Sequence, residues 1–453
     1  MVQDFRSAYR ASLCFILIST GFLPLSKSFQ ATLAAQAAHH PSHENWRKII
    51  RGGDQSLRSR KFDDAIDKYQ DAIDEAKKVK AEDSLLAQSY SSMARAYKEK
   101  RDLDKAEEYY RKALALRKSE LGDDAENTLR NLEDLSYCLW AQRKYREVES
   151  VLKEVLDIKT RTGNKDIEKS LERLARIKRD QHKYKESNDY LSRVLALRQK
   201  ELGKAHIELV EIYEQMARNY RDQGDLEKAE AQYKTAIELH RKLHGDSHLE
   251  LTSNLDSLAD IYMRQLQYDQ AQPLYAESLK IRQSLLPEDN VDVLKAMQRL
   301  SYCYERQDNS EAATKLVEKE ISLLEKSVGR SHIDVAKALN RLAHLQAGDR
   351  QYSDALKTAF QALEMRRAIS SEKDPSLTGD VRWISDLYVR DGKFQDALSL
   401  LQRQEKIVKK LLGKTNKEYI RLLEAERHVL SRIDREDEAK KLDAQIKELE
   451  SSS

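Results

Sequence analysis

Alanine recurs at Ala229, Ala271, Ala313, Ala355 and Ala397, a spacing of 42 residues held without a break. A second series, Ala175, Ala217, Ala259, Ser301, Ala343 and Ser385, keeps the same spacing. Each of its members follows an apolar residue: Leu174, Met216, Leu258, Leu300, Leu342 or Ile384. Tyr220, Tyr262, Tyr304 and Tyr388 come three residues after their small residue. A fixed period of this length marks a structural unit stacked on copies of itself, because one such unit cannot bury its apolar face alone.

Within a period the apolar residues follow a helical repeat twice over. Residues 207 to 222 carry Leu209, Ile212, Tyr213, Met216, Ala217 and Tyr220, and residues 226 to 243 carry Leu226, Ala229, Tyr233, Ala236, Ile237 and Leu239. Both sets match the 3.6-residue period of an amphipathic helix. Gly224 and Gly392 stand between the two helices, where glycine can take the left-handed conformation that ends a helix. Gly203, Gly245, Gly329 and Gly413 mark the breaks between units, and Asp374-Pro375 reads as a cap followed by proline at the first helical position. Small residues recur because two helices approach closely only where one side chain is a methyl group or less. With 13 Gly and 5 Pro among 453 residues and 35% charged residues, no strands are expected and the chain reads as all-α.

The Leu-Ala-x-x-Tyr of the first helix and the Ala-x-x-x-Tyr-x-x-Ala of the second resemble tetratricopeptide repeats over about residues 44 to 450. The 42-residue period, the Leu202-Gly203 to His206 and Gly245 to His248 linkers, and Ala271-Gln272-Pro273-Leu274-Tyr275 resemble the longer kinesin-light-chain variety. The resemblance implies a right-handed superhelical solenoid of about nine to ten helix-turn-helix units that binds other proteins. A degenerate first pair is expected around Gly53, Ala65, Tyr69 and Ala72 (38–83), tandem units over 84–410, and a charged closing pair with a short tail over 411–453. Ser136 and Ala175 are only 39 residues apart, which shortens one linker near Thr162-Gly163-Asn164 by three and implies a local kink.

Residues 1–37 differ in character. Arg6 and Arg10 precede the apolar run Ala11–Leu25, and small residues follow to Ala35-Gln36-Ala37. This is the order of a secretory signal peptide, so the mature chain is expected to begin near Ala38 in a periplasmic or secreted location. Cleavage at Ala34 or Ala31 and retention as an uncleaved anchor are the alternatives. Lys plus Arg (80) nearly balances Asp plus Glu (77), which argues against nucleic acid as a partner. Cys14 falls within the leader, while Cys138 and Cys303 hold core positions of separate helix pairs, so no disulfide is expected.

No Gly-rich phosphate loop, His-Glu-x-x-His or nucleophile elbow occurs, and neither catalysis, a cofactor nor a metal site is expected. His39, His40 and His43 lie just past the expected cleavage point, without further ligands. His206, His248 and His332 repeat at 42 residues and read as linker caps.

The informative face is the stripe on each first helix that lies three before, one after and four after the recurrent small residue. In a solenoid that face lines the concave wall. It presents Tyr137 and Trp140, then Arg176, Arg179, Arg218 and Arg221, then Asp256, Asp260 and Asn340. Aromatic rings and guanidinium forks are the usual anchors of protein interfaces. A groove for peptides, acidic ones among them, is therefore expected. The plainer reading makes Glu172–Arg176 and Glu214–Arg218 pairs along one helix, worth a few tenths of a kcal/mol each. Kinesin-light-chain grooves carry asparagines just before the Leu-Ala, and only Asn340 matches here, which points away from motor-cargo peptides. The expected role is a non-enzymatic scaffold outside the cytoplasm, with an accessory subunit of an envelope enzyme or transport complex as the alternative.

Overall fold

The structure, a computed structural model, describes residues 42–78, 83–164, 166–370 and 374–451. Residues 1–37, expected as a leader, and His39 and His40 lie outside them. Twenty α-helices in ten helix-turn-helix pairs make up the described residues. The chain divides into two compact units, residues 1–194 and 195–453.

The first unit holds α1 (Ser42–Arg58), α2 (Phe62–Lys78), α3 (Asp83–Glu99), α4 (Leu103–Leu121), α5 (Glu126–Ala141), α6 (Tyr145–Thr162), α7 (Ile167–Asp180) and most of α8 (Tyr184–Leu202). The second continues with α9 (Glu208–Gln223), α10 (Leu226–His244), α11 (Leu249–Arg264), α12 (Tyr268–Leu285), α13 (Val291–Arg306) and α14 (Ser310–Val328). It ends with α15 (Ile333–Gly348), α16 (Tyr352–Ser370), α17 (Thr378–Arg390), α18 (Phe394–Leu412), α19 (Lys417–Arg432) and α20 (Glu436–Ser451), a short 3-10 turn at Pro375–Leu377 leading into α17. Among the described residues no helix is long and apolar enough to cross a membrane.

The small residues do what their spacing implies. Ala217, Ala229, Ala259, Ala271, Ala313, Ala355 and Ala397 are all fully buried, with Tyr233 and Tyr275 filling the space beside them. In the degenerate first pair Gly53 takes the place of the alanine. A methyl group there would meet the Tyr69 ring at 2.5 Å, so the close approach admits nothing larger than hydrogen. Trp46 closes this end of the core, its indole N–H donating to Ser89 Oγ at 2.9 Å.

The turn inside every pair passes through a left-handed residue. Glycine fills that place only at Gly224 and Gly392; elsewhere it falls to Arg60, Arg101, Arg143, His182, Leu266, Asp308, Arg350 and Asp434, with φ from 55° to 70°. The following N–H then reaches back to a carbonyl of the last helical turn, as Gln267 N does to Tyr262 O at 2.9 Å, which pins the conformation despite the side chain.

Between pairs the chain uses a different device. Gly245 has φ 78° and ψ −174°, and Gly413 φ 81° and ψ 174°, a region open in practice only to glycine. Three residues later a side chain caps the next helix. Nδ1 of His206, His248 and His332 accepts from the backbone N–H of Glu208, Glu250 and Asp334 at 3.3, 3.3 and 3.2 Å. Asn290, Asp374 and Asn416 do the same with oxygen at 2.8 Å. The linker histidines are thus caps, interchangeable with Asn and Asp as acceptors. Ala125 holds the equivalent place before α5 and has no side-chain cap.

The shortened linker has its own brace. Gly163 is left-handed (φ 66°), and Asn164 Oδ1 caps Asp166 N at 2.8 Å. Lys159, buried at 3% exposure, donates to Glu133 Oε1 at 2.6 Å and to the Asp166 carbonyl at 3.3 Å. A buried ammonium needs acceptors within reach, and these two tie the short connection to α5.

Candidate functional site

In the first unit, α5, α6 and α7 surround a cleft of about 270 Å³ whose lining is largely apolar. Its walls come from Ser136, Tyr137 and Trp140 of α5, Val148 and Leu152 of α6, and Arg173, Arg176 and Ile177 of α7. The cleft exists because Tyr137 and Trp140 stand one and four residues beyond Ser136. They therefore share one face of α5, while Leu135 and Leu139 of the same helix are buried.

Tyr137 is 53% exposed, and its ring lies 6.0 Å from that of Trp140. Trp140 is held on three sides: its indole N–H donates to Asp180 Oδ2 at 3.1 Å, the Arg176 guanidinium sits 4.6 Å above its ring, and Tyr137 tilts against it. Lys98 Nζ lies 5.2 Å from the Tyr137 ring. Stacking on the indole orients Arg176 without satisfying its N–H groups. Among the described residues neither Arg173 nor Arg176 has a carboxylate partner. The surface is an aromatic shelf bordered by two uncompensated cations.

The remaining stripe residues are placed differently. Arg179 follows on α7, half-buried and with a partner of its own. In the second unit, Arg218 pairs with Glu214 at 3.1 Å and Arg221 with the adjacent Asp222 at 2.9 Å, so both guanidinium groups are spent on their own helix. Asp256, expected on the groove wall, is instead buried at 7% exposure. It accepts from Ser278 Oγ at 2.6 Å and pairs with Arg282 at 2.8 Å. The partner helix α12 supplies both groups, and a buried carboxylate needs that many donors. Asp260 is taken up by Arg299 at 2.9 Å and by the Tyr275 hydroxyl. Asn340 is half-buried on α15. The expected site residues that meet in one place are Tyr137, Trp140 and Arg176.

Arg173 escaped the sequence reading because it stands two residues before Ala175, outside the stripe. It reaches the cleft as the near edge of the following first helix. Pairing the trailing stripe of one first helix with the leading edge of the next is the signal that would have found it.

His43, just past the expected cleavage point, belongs to α1 and is packed in at 4% exposure. Cys138 and Cys303 are free thiols. Burial pushes the Cys138 thiol up and the Cys303 thiol up to about 11, which suits core packing rather than reactivity. Among the described residues no group of three or more His, Cys, Asp or Glu could hold a metal ion.

The tetratricopeptide repeat profile matches residues 53–119, 86–161, 166–242 and 249–326, together more than half of the chain. No curated protein matches it. Among solved structures, a putative kinesin light chain from Podosopora anserina with nearly identical TPR-like repeats is 18% identical, covering 45% of this chain and 97% of its own, at a TM-score of 0.41. BtubC (BKLC) from P. vanneervenii is 22% identical, covering 51% of this chain and 92% of its own, at 0.40. The C-terminal part of a TPR repeat-containing protein from Cytophaga hutchinsonii is 12% identical, covering 60% and 95%, at 0.44.

Proposed function

We propose a protein-binding role for this chain, which belongs to the tetratricopeptide repeat family, and assign docking to the cleft between α5 and α7. The observation that carries the reading is the pairing of an aromatic shelf, exposed Tyr137 beside half-buried Trp140, with the uncompensated guanidinium groups of Arg173 and Arg176. Apolar rings left in water and cations left without partners both gain from a ligand that covers them. A segment with an apolar side chain on the shelf and a carboxylate at the arginines supplies both. The groups lining the cleft hold and orient; they do not form a nucleophile with a base, so the chain acts as a non-enzymatic scaffold.

The site of action is the periplasm or the exterior, on the strength of Arg6, Arg10, the run Ala11–Leu25 and Ala35-Gln36-Ala37. A photo-crosslinking residue placed at Tyr137 in the natively expressed protein tests the docking site. The partner should be joined to that position and not to one placed at Lys242 on α10. Equal labelling of both would remove the assignment.

A further inference from the structure

Three clefts in the described residues fall in the same register, each between the first helices of successive pairs. Asp54 on α1 faces Arg95 on α3; Tyr137 and Trp140 on α5 face Arg176 on α7; Asp386 and Val389 on α17 face His428 on α19. Their charges differ. In the first, Asp54 accepts from Arg95 at 2.6 Å and from the Tyr69 hydroxyl at 2.7 Å, so it is closed upon itself. In the second, two cations are open.

The third, in the second unit, encloses about 490 Å³ between α17 and α19. Asp386 on its wall is neutralised by Arg390 at 2.8 Å. Among the described residues Arg382 of α17 forms no ion pair, and its Nε is buried without a hydrogen-bond partner. Glu424 of α19, on the facing wall, likewise has no partner among the described residues. Trp383, Val389 and Val429 supply the apolar surface between them. A guanidinium and a carboxylate that line one cleft without partners are both complemented at once by a ligand that carries both charges.

We propose that this cleft is a second docking station, taking a peptide segment that carries one acidic and one basic side chain with an apolar residue between or beside them. It rests on the protein-binding reading above but not on the α5–α7 cleft. Charge complementarity sets the order of the ligand's charges: its acid lies toward Arg382 and its base toward Glu424.

The test is selection from a displayed random peptide library on the full chain carrying Arg173→Glu and Arg176→Glu, which disables the first-unit cleft. Two further selections add Arg382→Glu alone, or Arg382→Glu with Glu424→Lys, with circular dichroism melting to show that each variant folds. The expected result is enrichment of peptides with an acid and a base a few residues apart. Their binding should weaken at least tenfold on Arg382→Glu, and the order of charges should reverse on the double exchange. No enrichment, or enrichment indifferent to both exchanges, would overturn the station. Sedimentation showing that Arg382 and Glu424 instead support a dimer would overturn it too, in favour of a second copy. Loss of peptides selected on the wild-type α5–α7 cleft is a separate outcome that bears on the proposed function alone.

Discussion

The guanidinium carbon of Arg176 lies 4.6 Å from the centre of the Trp140 ring, one helix pair further along the chain. That contact joins neighbouring helix pairs within the first unit, holding the guanidinium over the indole ring. Since Asp180 fixes the indole N–H at 3.1 Å, the shelf is formed before any ligand arrives. Trp140→Phe keeps the apolar face but loses the hydrogen bond and part of the cation–π attraction. It should weaken partner binding severalfold, read by titration calorimetry, while changing the melting temperature little.

Arg218 and Arg221 are engaged by Glu214 and Asp222, so they offer less to a partner than Arg173 and Arg176. Arg218→Glu with Arg221→Glu should lower affinity by less than threefold. A loss equal to that of the Arg173 and Arg176 pair would show that Arg218 and Arg221 also contact the partner.

Backbone conformation yields two opposite stability changes. Leu266 is left-handed at φ 60° and 69% exposed, so Leu266→Gly removes strain and little packing, and should stabilise the protein by about 0.5–1 kcal/mol. Gly245→Ala finds open space around its methyl group yet an excluded φ and ψ, and should cost about 1–3 kcal/mol. Adding the missing cap with Ala125→Asp should contribute about 1 kcal/mol. Chemical denaturation measures all three.

Ala259, fully buried among Leu255, Tyr262 and Tyr275, tests the packing. Ala259→Leu should overpack the contact and cost about 1–3 kcal/mol. Hydrogen exchange should quicken in α11, α12 and their neighbours first, since each helix leans mainly on those next to it in sequence. Uniform loosening of the whole second unit would contradict that localisation.

Glu426 on α19 is buried, and burial, with Glu405 nearby, pushes its carboxyl up to about 7 from 4.5. The folded state holds this proton more tightly than the unfolded one, so the stabilisation is fully present below about pH 4.5 and is lost as pH rises through about 7. The last two helix pairs should melt earlier at pH 8 than at pH 6. Glu426→Gln should flatten that dependence, whereas an unchanged slope would mean that Glu426 is ionised in the folded protein.

An N-terminus near Ala38 on the natively expressed protein is the expected outcome for the leader. Edman or mass-spectrometric sequencing decides it, and an intact Met1 or Val2 on a cytosolic protein would contradict export.

The pairs, their turns and the buried small residues were legible because they repeat, and repetition separates a packing requirement from chance. Register also explains what was missed. Gly122 repeats the linker glycine with φ 81°, but the 39-residue step after Ser136 moves it off the 42-residue grid. Asp256 looked like a wall residue by its position, yet whether a stripe carboxylate faces solvent depends on Ser278 and Arg282 of the next helix, a relation no spacing encodes. Likewise, Glu214–Arg218 could be read as an i to i+4 pair or as a free anchor from sequence, and only geometry separates the two.

The most direct measurement is the affinity of a purified partner, identified by crosslinking at Tyr137, for the chain with Arg173→Glu and Arg176→Glu. Both side chains are exposed and, among the described residues, outside ion pairs, so helicity and melting temperature should stay near wild type. Affinity should fall at least tenfold, and wild-type binding should weaken as salt screens the arginines over about 8–10 Å. Full affinity in the doubly substituted, folded protein would show that the cleft between α5 and α7 is not where the partner docks.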